Sequence, residues 1–369
     1  MDYATFSTRA TWVTSKTRVC EMSETLLEVE DLHTRFATRE GTVHAVEGVS
    51  FSVDRGEIVG VVGESGSGKS VTARSLIRLE DPGYIERGSV RFDGIEMTDA
   101  DDRTIRRVRG DGMAMVFQDP METLNPVFSI GEQIVESIKV HESPEKQRLL
   151  DYLNVPLFSS RGKRSQMRQQ AIDLMSEVGI PHPETRVSAY PHEFSGGMRQ
   201  RAMLAIALAR EPDLLIADEP TTALDVTIQA EILQRIRDLN EELGMAVLMI
   251  THDLGVVAEL CDKVVVMYGG QVMEEGPVED VLTNPKHPYT ESLLGCMPQT
   301  CDRGEPLNVI EGRVPSMVGE PTGCPFASRC WCSSESCTTG DLPTERVGED
   351  HTSRCHHVEE LSEPMEADQ

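Results

Sequence analysis

The stretch Gly63-Glu-Ser-Gly-Ser-Gly-Lys69-Ser70 follows an apolar run, Ile58 to Val62, and precedes the helix-compatible run Val71 to Leu79. A buried strand, a glycine-rich turn and a helix in this order are typical of a phosphate-binding loop in an α/β fold. This context disfavours a chance match, and the turn lets backbone N–H groups surround an anion. We expect Lys69 to reach the β- and γ-phosphates of a nucleotide, and the Ser70 hydroxyl to bind Mg²⁺. The other residues expected to line the phosphates are Gly63, Ser65, Gly66 and Gly68.

A second apolar run ends in two carboxylates. Leu214 to Ala217 has the pattern of a buried strand, and Asp218 and Glu219 follow it directly. Ligands of α/β folds bind at the carboxyl ends of the parallel strands, so both acids are expected beside the nucleotide. Asp218 is expected to hold the Mg²⁺ shell, and Glu219 to orient and polarise the attacking water. Standing alone, the pair would fit two solvated acids at a strand end equally well.

The pattern around these motifs predicts a doubly wound α/β fold. The apolar run Ala246 to Ile250 follows the helical pattern Ile228 to Leu243, as in βα units. Leu26 to Val29 and Val49 to Val53 predict short strands, separated by a turn around Gly41. The sheet is therefore expected to be preceded by a small strand pair.

The segment between the phosphate loop and the acidic strand has a different character. It is polar from about Ser129 to Pro191, with helical patterning at Met167 to Val178, and we interpret it as a helical insertion. From about Pro285 the chain becomes rich in Pro, Gly, Cys and Ser. Its end is acidic, which is typical of a disordered tail.

Charge and hydropathy limit the classes of function. The formal net charge of the 369 residues is −27, which argues against nucleic acid as a main partner, because such binding rests on Lys and Arg neutralising phosphates. The longest apolar stretch, Ala202 to Ala209, is far shorter than the roughly 18 to 20 residues that cross a bilayer. The first residues contain no apolar run of a secretion signal, so a cytoplasmic protein is expected.

Four further motifs carry a resemblance to a known family. Phe194-Ser-Gly-Gly-Met-Arg-Gln-Arg201 resembles the signature motif of ABC ATPases. Gln118 in Val-Phe-Gln-Asp-Pro is similar to the Q-loop, Ala223-Leu224-Asp225 to the D-loop, and His252 in Ile-Thr-His-Asp to the switch histidine. The motifs occur in the family's order, and the resemblance runs from about Leu26 to Thr283.

The resemblance implies a fold and a set of roles. The fold would be a P-loop NTPase (RecA-like) core with an N-terminal antiparallel β subdomain, a helical ABC subdomain and a small cysteine-containing C-terminal appendage. Two chains would sandwich two ATP molecules, each chain offering a helix N-terminus to the γ-phosphate in the facing subunit. The residues expected on the partner's side of the ATP are Ser195, Gly196, Gly197 and Asp225. Gln118 is expected to contact Mg²⁺ and to act with Glu219 and His252 in hydrolysis.

Phe36 is a candidate for contact with the base of the nucleotide. It is expected in a loop before the second strand, where an aromatic face would suit stacking on adenine. Phe is also a common core residue, so packing in the interior is the alternative.

Longer stretches resemble one branch of the family, the ATP-binding subunits of oligopeptide, dipeptide and nickel importers. They are Phe117-Gln-Asp-Pro-Met with Leu124-Asn-Pro126, Tyr190-Pro-His-Glu-Phe-Ser195, Asn284-Pro-Lys-His-Pro-Tyr-Thr290, and Gly323-Cys-Pro-Phe326 with Arg329-Cys330. The branch implies two transmembrane permease subunits, a second ATPase subunit that is identical or different, and an extracellular solute-binding protein. The chain would then lie peripherally on the cytoplasmic face of the cell membrane. Import of nickel or a sugar, an exporter, and a non-transport ABC ATPase acting on DNA or ribosomes are the alternatives.

Five of the nine cysteines fall between Cys324 and Cys355. Four thiolates are the ligand set of an iron–sulfur cluster or of a structural zinc. Peptide-importer subunits carry a 4Fe–4S site at matching positions, so the resemblance favours a cluster. Its expected ligands are Cys324, Cys330, Cys337 and Cys355. Cys332 could replace one of them, and unligated cysteines are a further alternative.

These features divide the chain into four expected segments. Residues 1–23 form a polar N-terminal extension, and 24–284 the ABC nucleotide-binding domain with its helical subdomain at about 119–195. Residues 285–358 are expected to form a peptide-importer-type C-terminal domain with the cysteine metal site, and 359–369 an acidic tail.

Overall fold

A computed structural model describes residues 25–140, 161–222, 224–297 and 309–359. The expected N-terminal extension at 1–23, Ala223 of the D-loop motif and all but the first residue of the acidic tail lie outside the described residues. The α/β fold predicted from the sequence is confirmed. No described helix is both long and apolar enough to cross a membrane.

The described residues contain twelve strands. In chain order they are β1 (Thr25–Thr38), β2 (Gly41–Asp54), β3 (Ile58–Val62), β4 (Tyr84–Phe92), β5 (Ile95–Glu96), β6 (Met113–Val116), β7 (Leu214–Asp218), β8 (Ala246–Thr251), β9 (Lys263–Tyr268), β10 (Gln271–Pro277), β11 (Glu345–Arg346) and β12 (Thr352–Ser353).

The same residues contain eleven α-helices. In chain order they are α1 (Lys69–Leu76), α2 (Asp102–Asp111), α3 (Pro120–Thr123), α4 (Ile130–Val140), α5 (Arg161–Glu177), α6 (Pro183–Arg186), α7 (Gly196–Leu208), α8 (Val226–Leu243), α9 (Leu254–Leu260), α10 (Val278–Thr283) and α11 (Pro288–Gly295).

The main sheet has eight strands in the order β11-β12-β10-β9-β3-β8-β7-β6. Strands β9, β3, β8, β7 and β6 are mutually parallel, and every residue of β3, β7 and β8 is buried. Helices cover both faces of such a sheet, which is why its central strands are continuous apolar runs. Because the strands are parallel, the residues that follow β3, β6, β7 and β8 meet at one edge.

The N-terminal strands form a separate antiparallel sheet in the order β2-β1-β4-β5. Strands β1 and β2 are longer than the sequence predicts, because polar residues interrupt the apolar pattern. In β1 the polar side chains of His33, Thr34 and Arg35 are buried. Phe36 therefore lies within β1, opposite Val43 of β2. The prediction that Phe36 lies in a loop was wrong.

Helices α3 to α7 lie between β6 and β7 along the chain and agree with the predicted helical insertion. Their apolar faces pack together around Ile134, Met175 and Phe194, which are all fully or nearly fully buried. The packing continues into Ala217 and Met249 of the main sheet. This core sets the position of the N-terminus of α7 relative to the sheet edge.

The C-terminal residues are joined to the main sheet. Strand β12 pairs with β10, with Ser353 opposite Glu274. The Glu274 carboxylate is buried and accepts hydrogen bonds from the backbone N–H groups of Lys286 and His287 at 2.6 and 3.0 Å. Its Oε1 lies 2.7 Å from His351 Nε2. These contacts hold residues from both sides of the undescribed stretch 298–308 against one strand.

Candidate functional site

The glycine-rich turn between β3 and α1 has a conformation that its glycines make possible. Gly63 has φ 154°, and a Cβ there would lie 2.1 Å from the carbonyl oxygen of Met267. Gly66 has φ 82° and faces open space, and Ser65 beside it is exposed. Positive φ angles favour glycine because a side chain would clash with the backbone. The loop is thus packed against β9 on one side and open on the other.

Lys69, the first residue of α1, is buried at the base of the loop. Its Nζ donates hydrogen bonds to the carbonyl oxygens of Gly63 and Glu64, at 2.8 and 2.9 Å. Burial lowers the pKa of Lys69, and the negative charges of Glu219, Asp218 and Glu64 oppose this shift. The ammonium group is therefore placed among acids at the expected position of the phosphates.

Ser70 and Asp218 form the expected pair for Mg²⁺. Ser70 Oγ donates a 2.8 Å hydrogen bond to Asp218 Oδ1. Asp218 Oδ2 is buried without a hydrogen-bond partner among the described atoms, and burial raises the pKa of this carboxyl. A hydroxyl and a carboxylate with an unused oxygen are ligands that Mg²⁺ prefers. The donor set therefore fits the ion, which would draw the phosphates toward Ser70 and neutralise charge on them.

Glu219 is the centre of a second cluster. Gln118 Nε2 donates to Glu219 Oε2 at 2.9 Å, and Thr222 Oγ1 donates to the same oxygen at 2.8 Å. His252 Nδ1 lies 3.4 Å from Glu219 Oε1, and the His252 side chain is 61% exposed. Glu219 itself has φ 46°, a strained conformation for a residue with a side chain. The three residues predicted to act in hydrolysis are thus brought together, and Thr222 is an addition that sequence reasoning missed.

The signature segment lies at the start of α7. Ser195 is the N-cap residue of this helix, and its Oγ accepts a hydrogen bond from Met198 N at 3.4 Å. Ser195 and Gly196 are exposed, whereas Gly197 packs so closely that a Cβ would lie 2.6 Å from Ile228 Cγ2. The helix N-terminus is therefore exposed at Ser195 and Gly196, where an anion can approach the backbone of the first turn.

Two other predicted contact residues have structural partners in the chain. Asp225 is the N-cap of α8, where its Oδ1 accepts from Ile228 N at 3.0 Å. Phe36 is half-buried, with its ring against Gly83, where a Cβ would lie 2.8 Å from the ring carbons. Their contacts with ATP remain predictions.

The four predicted cluster ligands line one small cavity. Cys324, Cys330, Cys337 and Cys355 surround it together with Leu342 and His287. Burial raises the pKa of Cys324 to about 12 and that of Cys355 to about 11, so both thiols are held in apolar surroundings. Cys332 Sγ lies 3.5 Å from Cys330 Sγ. Within the described residues, no three His, Cys, Asp or Glu side chains form a group that could hold a single metal ion.

A contact between the C-terminal region and the phosphate loop gave no signal in the sequence. Arg329 Nη1 lies 2.9 Å from Glu64 Oε1 and 3.0 Å from Glu64 Oε2. The two residues are 265 positions apart, and neither belongs to a pattern that predicts the other.

The parallel sheet, the phosphate loop and the carboxylates at its edge define a P-loop ATPase. The last helix of the helical insertion, α7, begins with Ser-Gly-Gly and precedes β7. This arrangement defines the ABC class of these enzymes.

Comparisons with known proteins agree with this assignment to the ABC class. A family model described as ABC transporter matches residues 46–222, and one described as the C-terminal region of oligopeptide/dipeptide transporters matches residues 273–337. The chain is 44% identical over 329 residues to the oligopeptide transport ATP-binding protein OppD of Bacillus subtilis, covering 88% of this chain and 87% of the relative. It is 41% identical over 333 residues to the dipeptide transport ATP-binding protein DppD of Escherichia coli, covering 90% and 96%.

The fold is also that of a solved cassette. A dimeric ATP-binding cassette bound to ADP and Pi in a post-hydrolysis state superposes with a TM-score of 0.57 at 26% identity, covering 69% of this chain and 99% of that one. The chain belongs to the ABC transporter family and is an ATP-hydrolysing member of it.

Proposed function

We propose that this chain powers the import of oligopeptides or dipeptides through a membrane permease complex. The observation that carries the proposal is the match of residues 273–337 to the C-terminal region of oligopeptide/dipeptide transporters, outside the part that handles ATP. Identity of 41% to 44% to peptide-transport ATP-binding proteins over about nine-tenths of the chain supports it. Nickel or a sugar is the alternative solute.

The working unit is a pair of ATPase subunits, either two copies of this chain or this chain and a relative. Ser195 and Gly196 are exposed at the N-terminus of a 13-residue helix, where the partial positive charge attracts a phosphate. Ser195 caps α7 and Gly196 lies beside Leu224, so their exposed side is left for a phosphate that a second subunit would supply. Lys69, Ser70 and Asp218 of one chain would then share each ATP with Ser195 of the other.

Hydrolysis would use the cluster around Glu219. Gln118 and Thr222 both donate to Glu219 Oε2, so the other oxygen, Oε1, would accept a proton from the attacking water beside His252. His252 lies on the side of Oε1 and would contact the γ-phosphate. Positioned groups of this kind contribute about 10²- to 10⁴-fold to a rate.

An apolar surface next to Gln118 would receive the permease. Met121, Val127 and Phe128 are 60%, 70% and 46% exposed and follow Gln118 within ten residues. Exposed apolar side chains of this kind are available to a partner protein. We infer that this segment contacts a permease subunit at the cytoplasmic face of the membrane. The complex would contain two permease subunits, and an extracellular solute-binding protein would deliver the peptide to them.

The cysteine cavity is proposed to hold a 4Fe–4S cluster. All four expected thiols line it; Cys337 and Cys355 are buried, and Leu342 adds an apolar side chain to the lining. Four cysteine thiolates are the ligand set of such a cluster. The support for the proposal is that these four cysteines line one cavity, since the described residues contain no group of three side chains that could hold a single metal ion.

Transport by the whole complex tests the proposed solute. A strain lacking this gene, expressing either the native chain or Glu219→Gln at equal levels, is assayed for uptake of labelled dipeptide, tetrapeptide, nickel and maltose. Peptide uptake is expected to return with the native chain only, while nickel and maltose uptake are the same in every strain. Loss of nickel or maltose uptake with unchanged peptide uptake would assign the chain to the other solute.

A further inference from the structure

The segment Cys324 to Cys330 has two faces. The cysteines at its ends line the cysteine cavity, whereas Phe326 and Arg329 between them pack toward the nucleotide site. Phe326 is fully buried against Tyr268 and Tyr289, with ring centroids 5.3 and 5.2 Å away. This aromatic cluster lies beneath the phosphate loop and fixes the direction of Arg329.

Arg329 is held from several directions. Its Nε and Nη2 donate to the carbonyl oxygens of Glu311 and Ile310, at 2.8 and 3.0 Å. Nη1 faces the Glu64 carboxylate and also lies 2.9 Å from Tyr268 Oη. The Arg329 side chain is 5% exposed and that of Glu64 is 26% exposed, so the ion pair is partly shielded from solvent. Charge pairs of this kind are stronger than those on an open surface.

Glu64, the second residue of the phosphate loop, is fixed at three points. Its carboxylate is paired with Arg329, and its backbone N–H donates to Tyr289 Oη at 2.8 Å. Its backbone carbonyl accepts from Lys69 Nζ at 2.9 Å. Two of these three contacts come from outside the ATP-binding motifs. Tyr289 is fully buried, and burial raises the pKa of its hydroxyl, which therefore stays neutral.

We propose that Arg329 and Tyr289 are positioning residues for the phosphate loop, through which the C-terminal region sets the affinity for ATP. An unpaired Glu64 carboxylate would stand within the electrostatic field of Lys69 and repel the phosphates that Lys69 attracts. Arg329 neutralises this carboxylate and holds it against the C-terminal region. The proposal concerns ATP binding alone and does not depend on which solute is imported.

A double-mutant cycle in the full-length protein tests the role of Arg329. Arg329→Met is expected to raise the KM for ATP about tenfold while kcat changes less than twofold, and Arg329→Lys is expected to fall between it and the native protein. In the Glu64→Gln background, Arg329→Met is expected to raise KM less than threefold, because no carboxylate is left to repel ATP. An equal rise in both backgrounds, or a loss confined to kcat, would overturn the proposal.

Two further variants separate positioning from folding. Arg346→Met is a matched control, since Arg346 is an exposed arginine of the same region whose ion-pair partner is Asp350; it should leave KM unchanged. Tyr289→Phe keeps the ring in its cluster and removes only the hydroxyl that binds Glu64 N–H. It should raise KM with an unchanged melting temperature, and an unchanged KM would exclude Tyr289 from the role even where Arg329→Met fails to fold.

Discussion

The side-chain amide of Gln118 donates a 2.9 Å hydrogen bond to the carboxylate of Glu219, although 101 positions separate them. The contact exists because β6 and β7 are adjacent parallel strands, and each residue follows the end of its strand. A change in the helical subdomain that moved Gln118 would therefore act directly on the proposed base.

Replacement of this base should separate binding from turnover. Glu219→Gln keeps the size of the side chain but removes the charge that accepts a proton, so ATP binding should persist while hydrolysis falls at least about 100-fold. Nucleotide binding by equilibrium titration and phosphate release under saturating ATP measure the two effects. Glu241→Gln, at an exposed position of α8, is the control. Native turnover in Glu219→Gln would remove Glu219 from its role.

The buried carboxylate of Asp218, an expected Mg²⁺ ligand, should lower the free energy of unfolding when Mg²⁺ is absent. Burial raises the pKa of Asp218 in the folded state above the ordinary value. The free energy of unfolding therefore falls as pH rises from the unfolded pKa to the higher folded pKa, and the loss is complete above both. Without Mg²⁺ and nucleotide, Asp218→Asn should therefore be more stable than the native chain at pH 7. The difference should vanish at a pH low enough to protonate Asp218 in both the folded and the unfolded chain. Denaturant unfolding at both pH values measures this, and the same variant should lose Mg²⁺-dependent hydrolysis. Equal stability of the two proteins at pH 7 would contradict the proposed cost of burying the charged Asp218 carboxylate.

The neighbouring glycines of the signature segment should respond differently to one methyl group. A Cβ at Gly197 would meet Ile228 Cγ2 at 2.6 Å, whereas one at Gly196 would meet Leu224 at an ordinary 3.7 Å. Gly197→Ala should therefore lower the free energy of unfolding by about 1 to 3 kcal/mol, as overpacking does. Gly196→Ala should change it little. Thermal unfolding of the two variants side by side is the measurement, and equal melting temperatures would show that α8 yields to the added group.

The proposed cluster predicts the iron content of cysteine variants. Protein purified anaerobically should contain about four irons per chain, and Cys324→Ser or Cys355→Ser should lose most of this iron. Cys296→Ser should retain it, because Cys296 does not line the cavity. Elemental analysis distinguishes the outcomes: one zinc per chain, or no metal, would refute the cluster.

His287 should make the folded protein sensitive to mild acid. Its buried Nδ1 accepts from Tyr289 N, and burial lowers its pKa to about 3. The unfolded chain binds a proton near pH 6.5 that the folded chain does not, so stability should fall as pH drops from about 6.5 toward 3. His287→Asn, which can still cap α11, should reduce this slope, while His192→Asn, at an exposed position, should not. Denaturant unfolding at pH 5 and pH 7.5 gives the comparison.

The sequence predicts the site well where functional residues directly follow an apolar run that forms a strand. Strands β3, β7 and β8 are continuous apolar runs because both faces are covered, and their ends carry the loop, Asp218 and His252. The grouping of Gln118 with Glu219 and His252 depends on strand order, which the resemblance to the ABC family implied. Their distances depend on packing, which no local pattern contains.

The prediction for Phe36 was wrong because of buried charge. Arg35 is 3% exposed and pairs with Glu47 and Glu86. A polar residue of β1 therefore occupies an interior position, and the apolar pattern that predicts a strand is interrupted there. The pair formed by Glu64 and Arg329 escaped prediction for a related reason, because long-range ion pairs leave no period in the sequence.

The pairing of β12 with β10 has a practical consequence for shortened proteins. A chain cut before His351 would leave the Glu274 carboxylate buried without its imidazole neighbour and the backbone of β10 open along one side. Open strand edges recruit other chains. Such a fragment would keep every ATP-binding motif and yet aggregate during expression. Poor recovery of a shortened protein would then reflect the missing strand and not a defect in its catalytic residues.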